Sequence, residues 1–159
     1  MFEGKKVSDI INKTSEIVYT KESETVFDAG KLMKSLGVGS LLVKNEKGDV
    51  TGIITERDLA MKVVAMDKDA VMVRVGEVMT KDPIAIRADA SVPTAMQLMS
   101  GKRIRHLPVV DDINGKKEIV GMLSGRDILA GEFEELRAKL HMKPEPEEES
   151  KDVVSFTDQ

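Results

Sequence analysis

Two stretches of this chain hold the residue types best suited to gripping a small molecule: Gly52-Ile53-Ile54-Thr55-Glu56-Arg57-Asp58 and Gly121-Met122-Leu123-Ser124-Gly125-Arg126-Asp127. In each, an apolar run ends at a hydroxyl and a carboxylate follows three residues later, which reads as a strand passing straight into a helix. The first free amides of a helix point outward and carry partial positive charge, so this junction suits a phosphate. A carboxylate accepts two hydrogen bonds at once and matches the vicinal hydroxyls of a ribose, where a deoxyribose would offer only one. Thr55, Arg57 and Asp58, and likewise Ser124, Arg126 and Asp127, are therefore candidate ligands of a ribose phosphate. A structural reading stands beside this one. Ser/Thr-x-x-Asp is close to a capping box, in which both side chains satisfy backbone donors at a helix start. Thr25-Val26-Phe27-Asp28 has the same pattern, but its counterpart Ser91-Val92-Pro93-Thr94 lacks the carboxylate, so Thr25 reads as a cap. The two longer stretches agree in Gly, hydroxyl, Arg and Asp. There a hydroxyl can accept from an amide and still donate to a ligand.

A third group is basic. Where the first half of the chain has Gly37-Val38-Gly39-Ser40, the second has Arg103-Ile104-Arg105-His106, just before an apolar run. Guanidinium groups bind phosphate through paired donors and stay charged at any working pH. A solvated surface loop is the alternative for these three residues, most of all for Arg103. The asymmetry predicts a tighter site at Asp127 and a weak or empty one at Asp58. His106 and His141 lie far apart in sequence and make a poor metal site, and no Ser or Asp spacing makes His106 part of a catalytic triad. No nucleophile is paired with a base, so no catalytic residue is assigned and no enzymatic activity is expected.

Composition narrows the classes further. The 159 residues contain no cysteine, which removes disulfides, Cys-based zinc sites and a thiol nucleophile from this chain. A net charge of −4 argues against a general nucleic-acid or anionic-membrane binder. No run approaches the roughly 20 apolar residues that span a bilayer, and the first residues lack the apolar region of a signal peptide. A cytoplasmic location is the expectation.

The elements that must position these residues occur twice. Thr25-Val26-Phe27-Asp28-Ala29-Gly30-Lys31-Leu32-Met33 aligns with Ser91-Val92-Pro93-Thr94-Ala95-Met96-Gln97-Leu98-Met99, and the two Gly-to-Asp stretches align after a short insertion. The lead-ins Val7-Ser8-Asp9-Ile10-Ile11 and Val75-Gly76-Glu77-Val78-Met79 match as well. Each unit reads as a short strand (Glu16–Thr20; Pro83–Arg87), a helix opening at Thr25 or Ser91 and closing at Gly37 or Gly101, and an apolar hairpin. The hairpin strands are Ser40–Lys44 with Val50–Ile54, and His106–Val110 with Glu118–Leu123. The helix opening at Ser124 is expected to run to about Met142. Its stripe Leu129, Phe133, Leu136 and Leu140 would cover the core or, alternatively, meet a second copy. The fold class is α/β. One unit of about 60 residues buries only roughly 60% of its unfolded surface, so two units are expected to pack sheet to sheet, share a core and form paired clefts. The division is residues 1–70, 71–135 and a final 136–159 holding the helix end and an acidic tail.

The doubled Gly-h-h-Thr/Ser-x-x-Asp element, the Val-x-x-Ala-x-x-x-Met helix and His106-Leu107-Pro108-Val109-Val110-Asp111 resemble the CBS domain family, named for cystathionine β-synthase, in its tandem or Bateman form. The resemblance spans roughly Val7 to Glu135. It implies βαββα repeats joined about a pseudo-twofold axis and often doubled again into a disc-like homodimer. It also implies a regulatory role without a required cofactor: binding of AMP, ADP, ATP, an NAD-type nucleotide or S-adenosylmethionine, relayed to a partner protein. By position, Asp58 and Asp127 would hold ribose hydroxyls, with Thr55 and Ser124 at ribose or phosphate. Arg105 and His106 match a phosphate-contacting basic pair, and Arg103 carries over less directly. Adenine would rest near Ile17–Lys21 and Ile84–Arg87. An adenine nucleotide is the leading ligand. An S-adenosylmethionine-type ligand or a ligand-free interaction module are the alternatives.

Overall fold

The computed structural model describes residues 4–11 and 17–141. The first repeat runs β1 (Tyr19–Lys21), α2 (Val26–Leu36), β2 (Ser40–Lys44), β3 (Val50–Thr55) and α3 (Glu56–Lys62); α1 (Val7–Ile10) precedes it. A short helix α4 (Val75–Val78) and strand β4 (Thr80–Lys81) lead into the second repeat, β5 (Ile86–Arg87), α5 (Val92–Lys102), β6 (His106–Ile113), β7 (Lys116–Ser124) and α6 (Gly125–Lys139). The expected βαββα order is present twice. The first strand of each repeat is shorter than its apolar run suggested, and Glu16 lies outside the described residues.

Two sheets form, in the orders β1-β2-β3-β4 and β5-β6-β7. β1 and β5 run parallel to β2 and β6, and each hairpin is antiparallel. Both hairpins carry a register shift at the same place in the repeat, Val43/Lys44 and Val109/Val110. Asn114 and Gly115 both have positive φ, 52° and 78°, and close the second hairpin in two residues, as a right-twisted ribbon requires. Helix α2 starts on Thr25, whose Oγ1 accepts from the Asp28 amide at 3.1 Å, and ends on Gly37 in the left-handed region. Its counterpart α5 does not stop at Gly101. It continues to Lys102, and Arg103 takes the left-handed cap position at φ 54°. The local bonding of the cap, from the Arg103 amide to the Met99 and Ser100 carbonyls, overrides the glycine signal.

The shared core expected from sequence is two cores. One gathers Val26, Ala29, Met33, Leu41, Val43 and Ile54 with Val75, Val78 and Met79; the other gathers Val92, Ala95, Met99, Leu107, Val109, Leu123 and Ile128 with Val7 and Ile11. Each lead-in thus plugs the repeat to which it does not belong in sequence. The backbone repeats this crossing: Val7 and Ser8 donate to Ala90 and Ala88 at 2.8 and 2.9 Å, while Val75 and Gly76 donate to Glu24 and Glu22 at 2.9 and 3.0 Å. The opposite sheet faces carry the registered pairs Leu42–Ile53 and Pro108–Met122. Leu42 is fully buried although it belongs to neither core, because this face is turned toward the other repeat.

Gly52 makes room for the crossing. A Cβ there would stand 2.5 Å from Met79 Sδ and 2.9 Å from the Thr80 carbonyl oxygen, whereas one at Gly121 meets only the end of the Ile11 side chain at 3.0 Å. Gly52→Ala is expected to destabilise the fold by about 1–3 kcal/mol, because a backbone atom must move. Gly121→Ala should cost clearly less, since a side-chain tip can rotate. Urea denaturation of both variants checks the order.

The stripe on α6 does not cover a core. Leu129, Phe133, Leu136 and Leu140 are 67, 59, 54 and 59% exposed, and Met142 falls outside the described residues. Glu135 on the same helix is held down to a pKa of about 2 by hydrogen bonds and ion pairs with Lys139 and Lys5, which tie α6 to the N-terminal segment.

Candidate functional site

β3 enters α3, and β7 enters α6, without a connecting loop, so each hydroxyl is at once the last strand residue and the helix cap. At the first junction Asp58 Oδ2 accepts from the Thr55 amide at 2.9 Å and its hydroxyl at 3.1 Å, and the Asp58 amide returns a bond to Thr55 Oγ1 at 3.3 Å. At the second, Asp127 Oδ2 accepts from the Ser124 amide at 2.7 Å and its hydroxyl at 2.6 Å, with the return bond at 3.2 Å. Both are complete capping boxes. The Glu56 and Gly125 amides donate to the carbonyls of Gly39 and Arg105, each at 3.0 Å. Two of the first amides of each helix are therefore already committed, and side chains must supply most of any anion binding.

The second carboxylate oxygens differ. Asp58 is 8% exposed, and its Oδ1 lies 2.7 Å from Lys62 Nζ, which also donates to the Val78 carbonyl at 2.8 Å. Asp127 is half-buried and, among the described residues, its Oδ1 accepts no hydrogen bond and meets no cation. The position of Lys62 in the first repeat is taken by Gly131 in the second, where Ile10 packs against the glycine instead.

A cleft opens beside each aspartate, between the repeats. The larger, about 940 Å³, joins Ser124, Arg126 and Asp127 to Ile17, Val18, Met33 and Lys34 of the other repeat. The smaller, about 590 Å³, joins Thr55, Arg57 and Asp58 to Ile84, Arg103 and Ile104. Arg105, His106 and Glu56 border both. The basic segment is therefore not confined to the Asp127 motif of its own repeat: Arg103 faces the Asp58 cleft, and Arg105 and His106 stand between the two. Crossing of elements between repeats produces this, and it removes the stated ground for expecting fewer phosphate ligands at Asp58. Lys21, at the outer end of β1, lines neither cleft. Ile17, Val18 and Ile84 do, as do the candidate Thr, Ser, Asp, Arg and His side chains of the two motifs and the basic segment, whereas Arg87 lines neither.

Glu56 and Lys62 were not picked out from sequence. The Glu56 carboxylate and His106 Nε2 together crowd Gly39, 3.3 and 3.2 Å from where its Cβ would be. A glycine at that position leaves space that any side chain would fill. Burial holds the His106 pKa below its ordinary 6.5, with Arg105 acting the same way and Glu56 and Asp127 opposing. A histidine with a depressed folded value stays neutral while the unfolded chain protonates, so stability falls as pH drops below 6.5. Wild type is expected to lose more thermal stability than His106→Gln between pH 7.5 and 5.5, read from melting curves; parallel loss in both would overturn it.

Among the described residues no three His, Asp or Glu side chains converge on a metal position, and no helix is long and apolar enough to cross a membrane. The CBS domain family model matches residues 7–65 and again 75–132. The chain belongs to the CBS domain family. It is 39% identical over 114 residues to an uncharacterized protein of Methanopyrus kandleri, covering 72% of this chain and 57% of that relative's length. It is 33% identical over 148 residues to the mitochondrial CBS domain-containing protein CBSX3 of Arabidopsis thaliana, covering 87% of this chain and 70% of the relative. A solved CBS-domain protein from Burkholderia ambifaria superposes with a TM-score of 0.70 at 32% identity, covering 90% of this chain and 99% of that one. CBS pairs of this kind are in general regulatory, ligand-binding modules without catalytic activity.

Proposed function

We propose that this CBS pair is a sensor that binds an adenine nucleotide of the AMP, ADP or ATP class in the Asp127 cleft and signals occupancy to a partner protein in the cytoplasm. The Oδ1 of Asp127, without a partner among the described residues and at the edge of a cleft of about 940 Å³, carries the reading. A carboxylate in that position already has one oxygen fixed by its capping box, so the other is oriented in advance for a sugar hydroxyl. Arg105, Arg126 and His106 supply donors for a phosphate, and Ile17, Val18, Met33 and Met122 supply apolar surface for a base. The exposed stripe Leu129, Phe133, Leu136 and Leu140 supports self-association through α6.

One observation favours a second ligand class. Glu56 borders both clefts and stands beside His106, and an acidic group where the phosphates would lie suits a sulfonium nucleoside such as S-adenosylmethionine better than a nucleotide. A thermal-shift series with AMP, ADP, ATP, NAD and S-adenosylmethionine separates the two. A ligand at 100 times its dissociation constant is expected to stabilise by about 2.7 kcal/mol. A response to S-adenosylmethionine alone replaces the nucleotide reading, and no response to any of the five leaves an interaction module.

A further inference from the structure

The two aspartates of the repeated motif make the same capping box, yet only one of them has a second oxygen to offer. Lys62 Nζ sits 2.7 Å from Asp58 Oδ1 and at the same time donates to the Val78 carbonyl at 2.8 Å. The ammonium is thus held from two sides, by α3 itself through an i,i+4 pair and by the end of the α4 lead-in. Asp58 Oδ2 is consequently taken by Thr55 and one acceptor position of Oδ1 by Lys62, which leaves one position where a diol needs two. In the second repeat the chain has Gly131 where Lys62 stands, and no cation reaches Asp127 Oδ1 among the described residues.

We propose that Lys62 locks the Asp58 cleft: its ammonium occupies the acceptor that a ribose diol would need, so the protein takes one nucleotide per chain at Asp127, and Lys62 is the residue that decides this. The inference rests on the nucleotide reading of the Asp127 cleft and names what makes the second cleft different. The Asp58 cleft is not short of donors for phosphate, since Arg57, Arg103 and Arg105 line it. What it lacks is a free carboxylate oxygen. A diol entering there must displace an ion pair whose carboxylate is buried, and the displaced ammonium must also give up the Val78 carbonyl.

Calorimetric titration of AMP into wild type, Lys62→Met, Lys62→Arg and Lys62→Met/Asp58→Asn tests the lock, with methionine keeping the aliphatic stem and arginine keeping the charge. Wild type and Lys62→Arg are expected to bind one AMP per chain. Lys62→Met is expected to bind two, its Asp58 cleft gaining at least about tenfold in affinity, and the added Asp58→Asn should remove the second site. Two equal sites in wild type, or one site in Lys62→Met that is also present in wild type, would overturn the lock while the Asp127 reading stands. Should Lys62→Met bind one AMP that Asp58→Asn abolishes while wild type binds none, the lock holds and the Asp127 reading fails. Absence of binding in all four removes both. Melting curves of the four proteins identify any variant that fails to fold, and Lys62→Gln then replaces Lys62→Met.

Discussion

Replacement of Asp127 by alanine is expected to lower the affinity for AMP by about a hundredfold, while Asp58→Ala changes it less than about threefold. In the proposed nucleotide complex Asp127 Oδ1, which has no partner among the described residues, accepts from the two vicinal hydroxyls of a ribose, and hydrogen bonds to a charged group contribute about 1.5–3 kcal/mol each. Loss of two such bonds removes at least about 3 kcal/mol, and each 1.4 kcal/mol is a factor of ten in the dissociation constant. Asp58 presents no equivalent oxygen, because Lys62 holds it. Both substitutions also remove a capping-box carboxylate, at about 1 kcal/mol of stability, so the two variants act as folding controls for one another. Isothermal titration reads the affinities. Equal losses, or a larger loss in Asp58→Ala, would show that the unpaired oxygen is not what the ligand uses.

The second large effect concerns the crossed lead-ins. Val7→Asp is expected to cost several kcal/mol, since Val7 is fully buried and an unpaired carboxylate there loses its hydration without gaining a partner. Against a total of about 5–15 kcal/mol for a domain of this size, that is enough to unfold a large part of the population. The location of the damage is the more telling part. Val7 precedes the first repeat in sequence but sits among Val92, Leu107 and Leu123. Amide exchange in Val7→Asp should therefore rise first in β6 and β7, and in Val75→Asp first in β2 and β3. The reverse pattern, followed by exchange mass spectrometry, would contradict the exchange of lead-ins between cores.

Much of this protein is decided by local rules that act along the chain. Thr25, Ser91, Thr55 and Ser124 each cap a helix, because a short hydroxyl side chain just before a helix reaches the amide three residues on. The doubled pattern made the two repeats, the hairpins and the two aspartate junctions readable without coordinates. The asymmetry at the aspartates was also written there, as Lys62 against Gly131. Local rules give it no functional weight, because an i,i+4 Lys–Asp pair on a helix ordinarily counts as solvated surface. Which neighbour a side chain meets across the molecule is another matter. Nothing local distinguishes a lead-in that packs on its own repeat from one that plugs the other, since both bury the same valines. Nor does it say that Arg103 faces Asp58, or that Glu56 and His106 share the space beside Gly39. Those outcomes depend on closing two marginal cores at once. The amino-acid order alone determined the elements, their caps and the candidate ligands, because each follows from contacts within a few residues. The tertiary structure decided which repeat supplies which wall of each cleft and which aspartate keeps a free oxygen, because these depend on distances between residues far apart in the chain.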